Sequence, residues 1–142
     1  MMVKTKKYTL NIEYEVEFDV FGLSTPFADY RLAWALNENL EFKFEKSSDQ
    51  FSIFDRKLKQ MKSFQQFSFV DEENLTQIFL IKNKQGNQIV TAEHAMMDYF
   101  LIIKNNFTLD LNKLLTQLRN TNGIVAAFKL EQGNFDFLEE MN

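Results

Sequence analysis

The sequence contains no cysteine, one proline and four glycines among its 142 residues. The absence of cysteine excludes disulfide bonds, thiolate metal sites and cysteine nucleophiles. The scarcity of glycine and proline disfavours a loop-rich scaffold with long flexible linkers. A chain of this length can bury a substantial core, so we expect a single domain over residues 1–142.

His94 is the only histidine in the sequence. Zinc sites usually need several histidine or cysteine ligands, so we expect neither a metal ion nor another cofactor. The serines stand in no recognisable catalytic context, and the sequence has no glycine-rich phosphate loop and no nucleophile elbow. We therefore assign no catalytic residue and favour a protein that is not an enzyme.

Long apolar runs are also missing. The start "MMVKTKKYTL" is basic but lacks the apolar stretch of a secretory signal, and no segment approaches the roughly 20 apolar residues of a membrane span. The net charge of −4 gives no general attraction to phosphate backbones. We expect a cytoplasmic protein with no membrane and no nucleic-acid partner.

Phenylalanine is abundant, with 16 copies, and apolar residues make up 45% of the chain, as in ordinary globular proteins. The segment "YTLNIEYEVEFDV", residues 8–20, alternates apolar and polar side chains, which predicts a strand with one buried face. Similar patterns between turn signals predict further strands. They lie at residues 41–46, 51–55, 64–71, 75–83, 98–104 and 124–131.

A first helix is predicted near residues 26–38 by the helical spacing of its apolar side chains. Ser24 or Thr25 is a candidate N-cap, because Pro26 suits the first turn of a helix. Trp34, the single tryptophan, is expected to anchor the core.

A second helix is predicted near residues 110–121, where leucines recur at i, i+3, i+4 and i+7. Thr108 or Asp110 is a candidate N-cap, and Gly123 suits a left-handed stop. Strand, helix and strand in succession predict a crossover that leaves two strands parallel or interleaved. The tail at residues 132–142, "QGNFDFLEEMN", is expected to dock on its own domain or on a partner.

These elements together predict an α+β fold with two layers. The sheet is largely antiparallel with about five to seven strands, and the two main helices cover one of its faces. Fold class by itself carries no function.

The segment "TAEHAMMDYFLIIKNN", residues 91–106, resembles the signature Ile-Pro-Glu-x-x-x-Val-Asp-Tyr of the IPExxxVDY family, a small bacterial family typical of Bacteroidetes. Glu93, Asp98 and Tyr99 match at the right spacing, whereas Thr-Ala replaces Ile-Pro and Met replaces Val. The segment "DYRLAWALN", residues 29–37, is similar to the family's N-terminal region. The resemblance implies an intracellular bacterial protein and supplies no activity.

The motif has two possible geometries. If residues 93–103 form one straight strand, His94 and Asp98 stand about 13 Å apart along it and cannot touch. If residues 92–97 form a turn or a short helix, His94 and Asp98 align at i, i+4, and an imidazole could stand beside a carboxylate as the start of an acid–base pair.

An architectural role for the motif is the interpretation we favour. Glu93 and Asp98 would then bond backbone amides or an arginine, and would fix how the chain enters the strand that begins near Tyr99. Arg31, on an otherwise apolar helix, is the partner we expect for Asp98, because a buried carboxylate persists only when it is paired or hydrogen-bonded.

Three functions remain open. The first is a non-catalytic interaction or scaffold module that binds another copy of itself or another protein. The second is a binder of a small apolar or acyl ligand between sheet and helices, since many phenylalanines can line a cavity as easily as fill a core. The third is a hydrolase-like enzyme that uses His94 and Asp98.

Overall fold

The computed structural model of the protein describes residues 17–55 and 58–131. The helices are α1 (Asp29–Leu40) and α2 (Leu111–Arg119). The strands are β1 (Phe18–Ser24), β2 (Glu45–Lys46), β3 (Phe51–Asp55), β4 (Gln60–Phe64), β5 (Gln66–Asp71), β6 (Thr76–Lys82), β7 (Lys84–Gln85), β8 (Gln88–Ile89), β9 (Tyr99–Lys104) and β10 (Ala126–Leu130). Residues 8–16 of the first predicted strand and the tail at 132–142 lie outside the described residues.

A six-stranded sheet forms the centre of the fold, with the order β10-β1-β9-β6-β5-β2. Every neighbouring pair in it is antiparallel. The hairpins β3–β4 and β7–β8 form two small sheets of their own. The predicted α+β class and the predicted antiparallel sheet of five to seven strands are therefore confirmed.

The crossover through α2 has the interleaved form that the sequence predicted as one alternative. β9 and β10 both pair antiparallel with β1. They therefore run parallel to each other with β1 between them. The connection from β9 to β10 contains α2. Asp110, one of the two predicted N-cap candidates, caps that helix, because its Oδ1 accepts hydrogen bonds from the amides of Asn112 and Lys113 at 3.0 and 3.2 Å.

Strand β9 is the most deeply buried element, since all of its side chains from Tyr99 to Ile103 are buried. Successive side chains of a strand point to opposite faces, so both faces of the sheet are covered at β9. A first core cluster includes side chains of both helices and of alternate strand positions. Its members include Leu32, Leu36, Leu101, Ile103, Leu114 and Leu118. The prediction that both helices cover one face of the sheet stays a prediction.

A second core cluster joins the β3–β4 hairpin to the remaining side chains of β1 and β9. It contains Phe51 and Phe64 of the hairpin together with Val20, Phe100 and Ile102. The sequence predicted β3 but not this packing, because residues 56–63 are too polar to indicate a strand that pairs with it.

The prediction that Trp34 anchors the core is wrong, because 64% of this side chain is exposed. Helix α1 has apolar residues on both faces, and it buries the aliphatic face of Leu32, Ala33 and Leu36. The predicted N-cap is also wrong. The helix begins at Asp29, and its N-cap residue is Ala28, whose side chain makes no capping hydrogen bond.

The strand predicted at residues 41–46 is reduced to Glu45 and Lys46. Asn37 of α1 accounts for the difference. Its side chain accepts a hydrogen bond from the amide of Phe44 at 2.8 Å and donates one to the carbonyl of Phe44 at 3.1 Å. An amide side chain therefore satisfies the backbone groups that a neighbouring strand would otherwise bond.

Candidate functional site

The motif residues lie where a loop enters β9. A short 3-10 helix at Ala92–His94 precedes the strand, which begins at Tyr99. The amide of Met97 bonds the carbonyl of His94 at 2.9 Å, which continues the turn. The turn geometry, rather than one straight strand, is therefore the geometry of this segment.

Asn83, directly after β6, fastens this loop and is completely buried. Its Nδ2 donates to the carbonyls of His94 and Met97 at 3.1 and 2.8 Å. Its Oδ1 accepts from the amides of Val90 and Thr91 at 3.2 and 3.3 Å. One side chain thus bonds four backbone groups of the loop, which satisfies the full donor capacity of its amide.

The backbone of Asn83 strengthens the same attachment. Its amide donates to the carbonyl of Asp98 at 2.9 Å, and its carbonyl accepts from the amide of Val90 at 2.8 Å. Sequence reasoning missed this residue. The available signal was its position two residues after the buried Ile81, because period-two alternation places residue 83 on the same face of the strand.

Asp98 holds the connection between β1 and α1. Its Oδ2 accepts a hydrogen bond from the amide of Thr25 at 2.9 Å, and its own amide donates to the carbonyl of Leu23 at 2.8 Å. The side chain is half-buried. The expectation that Asp98 is partly buried and bonds a backbone amide is met.

The predicted ion pair between Asp98 and Arg31 is wrong. The Arg31 side chain is exposed, and its guanidinium carbon lies 4.3 Å from the centre of the Phe27 ring. No ion pair joins it to Asp98 in the part of the chain that the structure describes. The Thr25 amide takes the place of the arginine, because a backbone donor within the fold satisfies the carboxylate without burying a second charge.

Tyr99, whose side chain belongs to the first core cluster, also bonds the connection between β1 and α1. Its side chain is 3% exposed, and its hydroxyl donates to the carbonyl of Phe27 at 2.9 Å. Burial raises the pKa of Tyr99 to about 12, and the negative charges of Asp29 and Asp98 act in the same direction. The hydroxyl therefore remains protonated, and remains a donor, over the whole neutral range.

The β1–α1 connection, residues 25–28, is also held by the loop after α2. The Thr25 hydroxyl donates to the carbonyl of Gly123 at 2.6 Å and accepts from the amide of Phe27 at 3.1 Å. Gly123 has a φ of +98°, and a Cβ at this position would overlap the ring of Phe27. Thr25, which the sequence indicated as a helix cap, instead links two loops.

Glu93 and His94 take no part in these bonds to the connection. Glu93 is exposed on the 3-10 helix, and the imidazole of His94 stands edge-on to the ring of Phe100, with 6.4 Å between ring centres. Within residues 17–55 and 58–131, no group of three or more His, Cys, Asp or Glu side chains is placed to hold a metal ion. Of the motif residues, Asp98 and Tyr99 therefore bond the β1–α1 connection, and Glu93 and His94 do not.

A separate cleft of about 500 Å³ opens at the other end of the sheet, beside the end of α1. Its lining includes the aromatic rings of Phe42 and Phe69 and the carboxylates of Glu41, Asp71 and Glu72. Thr76, which pairs with Asp71 across β5 and β6, also lines it. The cleft was not indicated by any sequence motif.

No protein-family model matches this chain, and a search of curated proteins finds none that matches it. The resemblance carried by Glu93, Asp98 and Tyr99 therefore stays a prediction. No helix in the described ranges combines the length and the apolar composition that crossing a bilayer requires.

We expect Asp98→Ala to lower the free energy of unfolding by about 1.5–3 kcal/mol, because the half-buried amide of Thr25 loses a charged acceptor. Asp98→Asn retains an oxygen acceptor and should cost less. Arg31→Met is the control and should stay within about 0.5 kcal/mol in dilute protein. Urea denaturation measures all three, and a non-additive Asp98/Arg31 double mutant would contradict the assignment.

Tyr99→Phe should lower the free energy of unfolding by about 1 kcal/mol at neutral pH, through loss of the bond to Phe27. Above pH 10 the unfolded chain releases the tyrosine proton while the folded chain retains it up to about pH 12. Stability is therefore lost as the pH rises through this interval. The difference in free energy of unfolding between the unaltered protein and Tyr99→Phe should therefore shrink between pH 10 and 12. The stability of the exposed control Tyr30→Phe should change with pH in the same way as that of the unaltered protein. A constant difference across this pH range would refute the buried-hydroxyl account.

Proposed function

We propose that the chain is a non-catalytic protein-interaction module that self-associates through the outer face of α1. This face comprises Tyr30, Arg31, Trp34 and Glu38, all of which are exposed. The observation that carries the proposal is the exposure of two large aromatic side chains, 71% for Tyr30 and 64% for Trp34. Tryptophan, tyrosine and arginine are the residue types enriched at the energetic centres of protein interfaces.

The two rings belong to one patch, because side chains four residues apart in a helix are neighbours on its surface. Arg31 lies between them in sequence, and its contact with the Phe27 ring restricts its conformations before any partner binds. A side chain that is already ordered loses less entropy on binding. The patch therefore has both the composition and the preorganisation of an interface.

Charge supports a second copy of the chain as the partner. Consider two α1 helices that pack antiparallel around a two-fold axis near Trp34. The residue three positions before Trp34 in one copy then faces the residue four positions after Trp34 in the other copy. Arg31 of one copy then faces Glu38 of the other, and symmetry repeats this pair. Both side chains are exposed. A parallel arrangement would bring like charges together instead.

The size of the patch indicates a weak association. One helix face per subunit lies at the low end of known interface areas. We therefore expect monomer and dimer to exchange, with the dimer populated only at high protein concentration.

The proposal includes a bacterial, cytoplasmic protein of the IPExxxVDY family. The spacing of Glu93, Asp98 and Tyr99 supports that membership, and the bonds of Asp98 and Tyr99 give two motif positions a structural role. The hydrolase alternative has less support, since Asp98 accepts from the Thr25 amide and His94 stands beside Phe100.

Charge reversal on α1 tests this interface. Arg31→Glu alone and Glu38→Arg alone should each weaken the dimer about tenfold or more, because each places like charges opposite each other. The double variant should restore association, since it exchanges the two charges. Lys113→Glu on the exposed face of α2 is the matched control and should leave association unchanged.

Sedimentation velocity over a range of concentrations measures the dimer, and the emission of Trp34, the single tryptophan, reports its burial. We expect the emission to shift to shorter wavelength as the concentration rises. A protein that stays monomeric at all concentrations would contradict self-association. A dimer that is insensitive to both charge reversals would place the interface elsewhere.

A further inference from the structure

The cleft beside the end of α1 combines aromatic walls with an excess of negative charge. Phe42 and Phe69 line it, with 5.2 Å between their ring centres. Three carboxylates line it against one ammonium group: Glu41, Asp71, Glu72 and Lys43. The volume of about 500 Å³ lies within the range of roughly 300–1,000 Å³ that is usual for small-molecule sites.

The end of α1 adds to the negative potential. The carbonyl end of a helix carries a partial negative charge of about half an elementary charge. Basic side chains often offset that charge, but the last turn of α1 contains none, and its cap residue is Glu41. Leu40 and Glu41 both line the cleft, so this uncompensated helix end faces the same space as the carboxylates.

The carboxylate of Asp71 is held in its ionised form. The side-chain amide of Asn74 donates to its Oδ2 at 2.8 Å, and this bond lowers the pKa of Asp71 below its usual value. Because Asn74 orients the group, its charge is fixed at the edge of the cleft rather than spread over several rotamers.

We propose that this cleft binds a small organic cation with an apolar body, such as a protonated amine on an aromatic frame. The aromatic rings and Ile78 contact the apolar body, and an aromatic ring also attracts a cation. The carboxylates of Glu41 and Glu72 and the end of α1 attract the charged group. An anionic acyl ligand meets repulsion from the same groups.

The charge of the cleft also argues against the chain's own tail as its occupant. Residues 132–142 contain three carboxylate side chains and no basic residue. The apolar side chains of these residues suit the aromatic walls of the cleft. Their carboxylates, however, are negatively charged like those that line the cleft. A free cation satisfies both features.

Two ligands that share an indole ring test the proposal. Tryptamine is a cation at neutral pH and indole-3-propionate is an anion. Titrations of the isotopically labelled chain, followed by amide NMR shifts, should give a dissociation constant about tenfold or more lower for tryptamine, because opposite charges attract across the cleft. The shifts should centre on residues 41–43 and 69–72.

A pair of charge-neutralising variants makes the test specific. Glu41→Gln combined with Glu72→Gln should raise the dissociation constant for tryptamine about tenfold. Glu93→Gln removes one charge at the opposite end of β9 and should leave it unchanged. Equal binding of the two indoles, shifts centred elsewhere, or an unchanged constant in the double variant would each overturn the proposal.

A third ligand, a short peptide, distinguishes a small-molecule amine from a segment of a protein as the occupant of the cleft. N-acetyl-tryptophanyl-lysine amide presents an indole and an ammonium group on a backbone. Binding no tighter than that of tryptamine supports the small-molecule assignment. Binding tenfold tighter would overturn it and assign the cleft to a basic segment of a protein.

Discussion

The completely buried side chain of Asn83 is the constraint on which the motif end of the fold depends. A loop that turns into a central strand must bury backbone donors and acceptors, and each one left without a partner costs about 1–3 kcal/mol. The side chain of Asn83 bonds four of them at once, two through Oδ1 and two through Nδ2. The loop then presents Asp98 and Tyr99 in fixed positions, and these bond the backbone of Thr25 and Phe27. Asn83, directly after β6, is thereby linked through the motif loop to the start of α1, although β6 lies two positions from β1 in the sheet.

This arrangement separates the architectural end of the molecule from its two candidate binding surfaces. The side chains of Asp98 and Tyr99 are engaged with backbone partners, so they need no ligand to explain their burial. The outer face of α1 and the cleft beside its end have the opposite character. There, aromatic rings and charged groups lie at the surface, and the two binding proposals concern these groups. The same helix thus has one end held by the motif loop, one face open to a partner and one end that contributes charge to the cleft.

The regular elements could be predicted from the sequence because their patterns are local. Alternation predicted β5, β6 and β9, leucine spacing predicted α2, and Asp110 was one of two candidates for its cap. The details of the site could not be predicted, because they depend on distant partners. The acceptor role of Asp98 was foreseen, but its donor is the backbone of Thr25 rather than Arg31, and a backbone amide has no sequence signature.

Trp34 was misplaced because α1 has apolar residues on both faces, and only the packing against the sheet decides which face is buried. Asn83 was missed because its four bonds reach residues 7 to 14 positions further along the chain.

Native-state hydrogen exchange in Asn83→Ala, with the exposed Asn87→Ala as control, tests most directly whether Asn83 determines the start of α1. Loss of the Asn83 side chain should accelerate exchange of the Thr91 amide directly, whereas the Val90 amide keeps its bond to the backbone carbonyl of Asn83. It should also accelerate exchange of the Thr25 amide, which is bonded to Asp98 and not to Asn83, by about tenfold or more, since about 1.4 kcal/mol of local stability corresponds to that factor. Amides of the β5–β6 pair should keep their relative protection. If Thr91 loses protection while Thr25 retains it, the β1–α1 connection is held independently of Asn83 and the account is contradicted.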